Sequence, residues 1–220
     1  MPRPIIFDFD GVIVDSEILS TFRESLTAFG FPTSEEEEIA HYRGLRLKDC
    51  IAAAERLHNR KMPDDFVTAY RTRSFDLLRR ELKPVAGAVE FIRSLGARPI
   101  AIASSSGHAR LELCLELVGL TDRFAGRVCS AAEMERGKPF PDVLLHAAKT
   151  LSADPHDCIV VEDGTHGIAA AIAAGMTPLG LTAGSHCKPD HAERLKAAGA
   201  EAVAATYDEL AKIIASLDET

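Results

Sequence analysis

No run of lysines and arginines occurs in the 220 residues, no basic stretch is interleaved with aromatics, and the formal net charge at pH 7 is −8. A chain of that sign is repelled by nucleic acid and by anionic membranes unless positive charge is concentrated locally, so neither is expected as a partner. Long hydrophobic stretches are missing too. The longest, Ile168 to Ala174, falls far short of the ~20 residues that span a bilayer. The five cysteines (Cys50, Cys114, Cys129, Cys158, Cys187) are odd in number, scattered, and form no CxxC. They fit buried or incidental thiols in a reducing compartment. Met1-Pro2-Arg3-Pro4 leads straight into an apolar segment and leaves no room for a secretory leader, so a cytoplasmic location is expected. Internal repeats and low-complexity segments are absent. What is present, with 46% apolar residues, can bury a full core and still carry a smaller insertion.

The stretch that organises the rest is Ile5-Ile6-Phe7-Asp8-Phe9-Asp10-Gly11-Val12. A short apolar run closed by glycine reads as a buried strand, and this one ends in two carboxylates one residue apart. At about 5 Å and an effective dielectric of about 20, two such charges repel by roughly 3 kcal/mol, so a pair of this kind has a cation beside it or a proton on one member. The same pair is also suited to capping a turn, and the remainder of the chain has to decide.

From Asp15-Ser16-Glu17 to about Lys83 the sequence reads as helices. Ser16 is placed to cap a helix carrying Leu19, Phe22, Leu26 and Phe29, closed by Gly30. Ser34 and Glu37 make a capping box, and the acidic run Glu35 to Glu38 suits a solvated first turn at the positive end of a helix dipole. Further helices are expected from Leu47 to His58 and Asp64 to Leu82. Beyond Pro84, strands at Pro99–Ala103, Arg127–Cys129 and Cys158–Val161 alternate with helices from Gly87, His108, Asp142 and Gly167. Leu179–Leu181 and Ala202–Ala204 read as edge strands, and Tyr207–Leu217 as a terminal helix. Alternation of this kind implies an α/β fold with a doubly wound parallel sheet, whose ligands bind outside the carboxyl ends of the strands.

Three of these strands finish in reactive side chains: Asp8 and Asp10, Ser104, and Glu162 with Asp163. Parallel strands bring those ends to one rim, where four carboxylates call for a hard cation with oxygen ligands, and Mg²⁺ fits. Lys138, in a Gly-Lys-Pro turn, is the natural second countercharge. Ser104 opens a glycine-containing turn before a helix, where a hydroxyl and free backbone N–H groups can hold phosphate oxygens.

On these four ordered motifs (Asp8-Phe9-Asp10-Gly11-Val12, Ser104, Lys138-Pro139, Glu162-Asp163) the chain resembles the haloacid dehalogenase superfamily, in the branch of β-phosphoglucomutase-like phosphatases, over essentially its whole length. The resemblance implies a Rossmann-like core at 1–15 and 84–220 with an inserted α-helical cap at 16–83. It implies that Asp8 attacks phosphorus and that Asp10 is the acid and base. Mg²⁺ would be held by Asp8, Asp163, the main-chain carbonyl of Asp10 and Glu162. Ser104, Ser105 and Lys138 would bind the phosphoryl group. In the cap, Arg43, Arg46 and Lys48, together with His108 of the core, are candidates to meet the leaving group.

Departures from relatives narrow the reaction. Asp10 argues against carbon–halogen cleavage and against a phosphonate hydrolase. β-Phosphoglucomutases carry a cap histidine where Ser20 stands here, and an arginine at the position of Leu47, one residue from Arg46. A phosphatase acting on a small phosphorylated metabolite, a sugar or sugar acid phosphate, is therefore expected. A phosphosugar mutase is the alternative, with a catalytically inactive binding module behind it. A monomer or small homo-oligomer is expected. His186-Cys187 with Asp190-His191 matches no standard zinc spacing, and Gly184, Ser185 and Pro189 read as a flexible loop without metal.

Overall fold

In the computed structural model the residues described are 2–15, 19–42 and 44–219, with main chain alone at 19 and 20. The expected cap at Ser16, the side chain of Ser20 and the candidate Arg43 lie outside them. The chain runs β1 (Ile5–Phe7), β2 (Val14–Asp15), α1 (Leu19–Ala28), α2 (Glu35–His41), α3 (Leu47–His58), α4 (Phe66–Glu81), β3 (Lys83–Pro84), α5 (Ala88–Ser94), β4 (Ile100–Ser104), α6 (His108–Leu117), β5 (Val128–Ser130), α7 (Asp142–Thr150), β6 (Ile159–Glu162), α8 (Thr165–Ala173), β7 (Thr177–Leu181), α9 (His191–Ala197), β8 (Ala202–Ala204) and α10 (Tyr207–Asp218).

Six strands form one sheet in the order β5-β4-β1-β6-β7-β8, with every pairing parallel. The strand alternation sorts side chains by size. Ile5, Phe7, Ile100, Ile102, Ile159 and Val161 point to one face, where α5, α6 and α10 add Phe91, Leu115 and Leu210. Ile6, Ala101, Ala103 and Val160 point to the other, where α7 and α8 approach with Ala147, Ala148, Ala170 and Ala171. Small residues on both sides of that second interface let the helices pack close to the strands. Strand order reverses at β1, which has β4 on one side and β6 on the other, so a crevice opens beyond its carboxyl end.

Helices α1–α4 enclose a cluster of their own, built on Phe22, Leu26, Phe31, Tyr42, Cys50, Ala54 and Phe66. Phe22 meets Tyr42, Phe66 and Tyr70 edge to face, an arrangement that aromatic quadrupoles favour. The Ser34–Glu37 capping box forms as expected. Glu38, by contrast, is not part of a solvated turn: it is 3% exposed, with Arg23 Nη1 3.7 Å from its carboxylate. Both passes of the chain between this bundle and the sheet run through the antiparallel ribbon of β2 and β3, with Val14 opposite Pro84.

One strand and one loop depart from expectation. β7 is internal rather than an edge, because β8 pairs onto it from Leu179 to Leu181. The segment after Pro189 is helical as α9, closed by Gly199 at φ +102°. Among the described residues no helix is long and apolar enough to cross a membrane.

Phe7 is fully buried and meets Phe91 and Phe124 edge to face at 6.4 Å. Phe7→Ala removes those contacts from the middle of the sheet and should lower the free energy of urea-induced unfolding by about 3–5 kcal/mol.

Candidate active site

The carboxyl end of β1 is where the expected residues meet. Pairing sets Phe7 opposite Ile102 on one side and Val161 on the other, and the Asp8 amide donates to the Val161 carbonyl at 2.9 Å. Asp8 therefore leaves the sheet alongside Glu162, the last residue of β6. Lys138 arrives from the loop between β5 and α7. Its ammonium donates to Asp8 Oδ1 at 2.8 Å, to the Ala103 carbonyl at 2.9 Å and to Glu162 Oε1 at 2.5 Å.

Asp8, Glu162 and Asp163 each present an oxygen within 4.8 Å of the others. Burial raises the Asp8 pKa well above the usual carboxylate range, and the charges of Glu162 and Asp163 add to this, with Lys138 opposing. Burial raises Glu162 as well, with Lys138 opposing and Asp163 adding. Burial alone would lower the Lys138 ammonium, yet the two carboxylates hold it charged, above its ordinary range. Three carboxylates facing one ammonium leave an excess of negative charge, and the all-oxygen donor set suits a hard divalent cation. The residues fit Mg²⁺.

Two glycines make the cluster geometrically possible. Gly11, at φ +79°, turns the chain after Asp10, and a Cβ there would collide with the Asp163 carboxylate and the His186 ring. A Cβ at Gly167, in the first turn of α8, would strike the Glu162 carboxylate.

Ser104 is buried at the end of β4, and its hydroxyl accepts the Ser106 N–H at 3.1 Å. Ser105 sits on the rim with its hydroxyl donating to the Gly44 carbonyl of the helical bundle at 2.7 Å. Arg46 is not a free cation. It is 7% exposed, forks onto Asp49 at 2.5 and 3.0 Å, and reaches the carbonyls of Met134 and Glu135 at 3.0 and 3.2 Å. It ties the bundle to the sheet. Lys48 is exposed at the mouth, and His108 lies 3.4 Å from Glu133 Oε1; both border the central chamber.

That chamber, about 600 Å³, lies between the strand ends and α1–α4. Asp8, Asp10, Ser104, Lys138, Glu162 and Asp163 form its floor. The bundle side is largely apolar, with Phe22, Tyr42, Leu45, Tyr70 and Phe75, and Glu38 is the acidic group among them.

One partner was not foreseen. Arg110, in the first turn of α6, grips Asp10 with both terminal nitrogens, at 2.7 and 2.6 Å, and Ser106 Oγ donates to the same carboxylate at 2.9 Å. A cation in the first turn faces the positive end of its helix, an unfavourable position unless an anion lies opposite. The loop before α9 is likewise ordered around Asp163. His186 Nε2 lies 2.8 Å from Asp163 Oδ2, and His191 Nε2 lies 2.6 Å from the Asp163 carbonyl. Burial alone would lower the His186 pKa, but Asp163 and Cys187 outweigh it and raise it to about 10. Burial alone would raise the Cys187 thiol, but hydrogen bonds with His186 and His191 bring it down to about 7.

The strand-end cluster sets a buried carboxylate against an ammonium and two further acids, and comparison with known proteins places the chain among hydrolases. The sequence profile of the haloacid dehalogenase-like hydrolases matches residues 5–181, and the chain belongs to that family. It is similar to 6-phosphogluconate phosphatase of Escherichia coli K12, 26% identical over 84% of this chain and 85% of the relative. Hexitol phosphatase B of the same organism is 32% identical over 80% and 82%. Among solved structures, a haloacid dehalogenase family hydrolase from Deinococcus radiodurans R1 with bound phosphate and sodium is 33% identical, with a TM-score of 0.74 over 97% of this chain and 95% of that one. β-Phosphoglucomutase of Clostridium difficile, 20% identical over the full length of both chains with a TM-score of 0.81, shares the fold.

Arg110→Ala strands the Asp10 carboxylate with fewer partners. Removing one member of an enclosed pair costs about 3–5 kcal/mol; the Asp10 side chain retains 28% exposure, so a loss of about 2 kcal/mol is expected in urea unfolding. Arg110→Lys should recover part of it.

Proposed function

We propose that this chain is a Mg²⁺-dependent phosphatase of small phosphorylated metabolites, working through a phospho-aspartate on Asp8. The observation that carries the reading is the Lys138 ammonium lodged between Asp8 and Glu162, beside three carboxylates that share one small volume. A nucleophile and its phosphate dianion repel each other, and only a site rich in fixed positive charge lets them approach.

Asp8, Glu162 and Asp163, with the Asp10 main-chain carbonyl, would hold Mg²⁺. When bound, the ion neutralises negative charge on the cluster and on phosphoryl oxygens. Ser104, Ser105 and Lys138 bind the transferred group. An Asp8 carboxylate oxygen forms the bond to phosphorus as the ester oxygen leaves with its electron pair, and Asp10 protonates that oxygen. Asp10 then takes a proton from the water that attacks phosphorus, the bond from phosphorus to the Asp8 oxygen breaks, and phosphate leaves with the Asp8 carboxylate restored. The ion pair with Arg110 suits the second role, since the carboxylate is the form that accepts a proton. Serving the first requires the Asp10 carboxyl to be protonated and to turn off the guanidinium.

The substrate reading is a sugar or sugar acid phosphate. The chamber lies in the size range that encloses a small metabolite, and two of the relatives act on 6-phosphogluconate and a hexitol phosphate by name. Glu38, Lys48 and Arg71, with the hydroxyls of Tyr42, Tyr70 and Ser74, are polar groups of residues 19–83 on the chamber that could bind hydroxyls or an acid group there. Residues 16–83 act as the cap and 1–15 with 84–220 as the catalytic core, in a cytoplasmic monomer or small homo-oligomer. The cation next to the mutase position, Arg46, is committed to Asp49 and the Met134 and Glu135 carbonyls, which leaves Lys48 and Arg71 as the chamber cations among the described residues of 19–83.

A panel of sugar, sugar acid and polyol phosphates assayed with Mg²⁺ should find ester hydrolysis that chelation by EDTA abolishes and fresh Mg²⁺ restores. Asp8→Asn should retain the wild-type circular dichroism spectrum and lose phosphate release by a factor of about a thousand or more. Persistence of activity in that variant refutes the phospho-aspartate. Interconversion of hexose 1- and 6-phosphates faster than hydrolysis, in the presence of a bisphosphate primer, would establish the mutase instead.

A further inference from the structure

His186, Cys187 and His191 are a second group of metal-ligating side chains beside the oxygen-donor cluster, and their donor atoms lie within 4.8 Å of one another. Their spacing in sequence fits no finger, because two of them sit in a loop and the third opens α9; the fold supplies the convergence. His186 Nε2 and Cys187 Sγ are 3.5 Å apart. With zinc–nitrogen and zinc–sulfur bonds of about 2.0 and 2.3 Å, the edge of a tetrahedral site between those atoms is about 3.5 Å. Asp163 Oδ2 stands 2.8 Å from the same His186 nitrogen, an ion-pair contact shorter than the ~3.3 Å edge of a nitrogen–oxygen pair on one ion, so it reaches a fourth position by turning as the ion replaces the proton between them. Room for the His186 ring is kept by Gly11 and Gly184, since a Cβ on either would collide with its Cε1. Both histidines border the chamber and Cys187 is only partly buried, so an ion has a way in.

We propose that His186, Cys187 and His191, with Asp163 as the fourth donor, bind a thiophilic divalent cation of the zinc class, and that this ion competes with the neighbouring all-oxygen site for Asp163. Thiolate and imidazole donors select zinc over magnesium, whereas Asp8 and Glu162 offer only hard oxygens. Loading releases the Cys187 thiol proton and the proton on His186 Nε2 to solvent, as metal binding by these ligands requires. Asp163 belongs to both donor sets, so an ion drawing its carboxylate toward sulfur withdraws it from Asp8 and Glu162. Zinc is then an inhibitor that acts beside the catalytic cluster. Only this last consequence rests on the phosphatase reading above.

Full-length protein in excess Mg²⁺ is titrated with CoCl₂. One equivalent should give a thiolate-to-cobalt charge-transfer band and strong visible bands of a tetrahedral ion, displaced by ZnCl₂; Cys187→Ser should lose the charge-transfer band while keeping the wild-type circular dichroism spectrum. Cys50, Cys114, Cys129 and Cys158 are buried, so the band reports on Cys187. In the activity arm, at fixed Mg²⁺ and relative to each protein's own rate, wild type should be half-inhibited at a Zn²⁺ concentration at least about tenfold below that for Cys187→Ser, a difference of about 1.4 kcal/mol. No thiolate band in the wild type, or an unchanged band in Cys187→Ser, overturns the site. Equal zinc sensitivity of the two proteins overturns the competition. Absence of phosphate release from every ester overturns the function and leaves the cobalt spectrum to decide the metal site alone.

Discussion

Negative charge crowded at the end of a buried strand is what this structure has to accommodate. Asp8, Glu162 and Asp163 share a volume a few ångströms across, and in a low-dielectric setting Glu162 and Asp163 raise the cost of ionising Asp8, as Asp163 does that of Glu162. Lys138 answers part of that cost, and does so from a loop between β5 and α7 rather than from the strands that carry the acids. The Ala103 carbonyl takes a further donor of the ammonium, fixing its position against the sheet. The same arrangement that is unfavourable in the resting chain is what suits it to a hard cation and an incoming dianion. Stability and chemistry are in tension at this point, as is usual where charges are held out of water.

The rest of the fold keeps that cluster rigid. Large side chains fill one face of the sheet, and alanines line the other, so α8 lies close enough for its first turn to confine the Glu162 carboxylate against Gly167. Gly11 does the same for Asp163 from the β1 side. Asp10 is fixed by a third device, the fork of Arg110, which belongs to neither motif-bearing strand. Glu162, Asp163 and Asp10 are thus each positioned by a different element.

The strands and the Asp8, Ser104, Lys138 and Glu162-Asp163 positions could be read from residue order because each lies at a local boundary, where an apolar run gives way to a turn. Partners brought in from afar carried no such mark. Arg110 and Asp10 are a hundred residues apart, and the only local hint was a cation in the first turn of α6, where the helix dipole disfavours it. Arg46 looked like an available cation because its acceptors, Met134 and Glu135, are main-chain carbonyls of a distant loop. The region after Gly184 read as loose because glycine, serine and proline dominate it; α9 and the attraction of two histidines to Asp163 order it instead. β7 reads as an edge because only Leu179–Leu181 carries a strand pattern, and the weak strand Ala202–Ala204 that covers it offers little pattern of its own.

The ribbon of β2 and β3 has a mechanical corollary. Because entry to the four-helix bundle and exit from it pass side by side through two pairs of residues, the bundle is wired to the sheet at one seam. A swivel about that seam would also have to move Leu78 of α4, which is buried in the core on the α5, α6 and α10 face of the sheet. The non-covalent fastenings of Arg46 to the Met134 and Glu135 carbonyls and of Ser105 to Gly44 lie away from the seam and hold the roof to the floor independently of it.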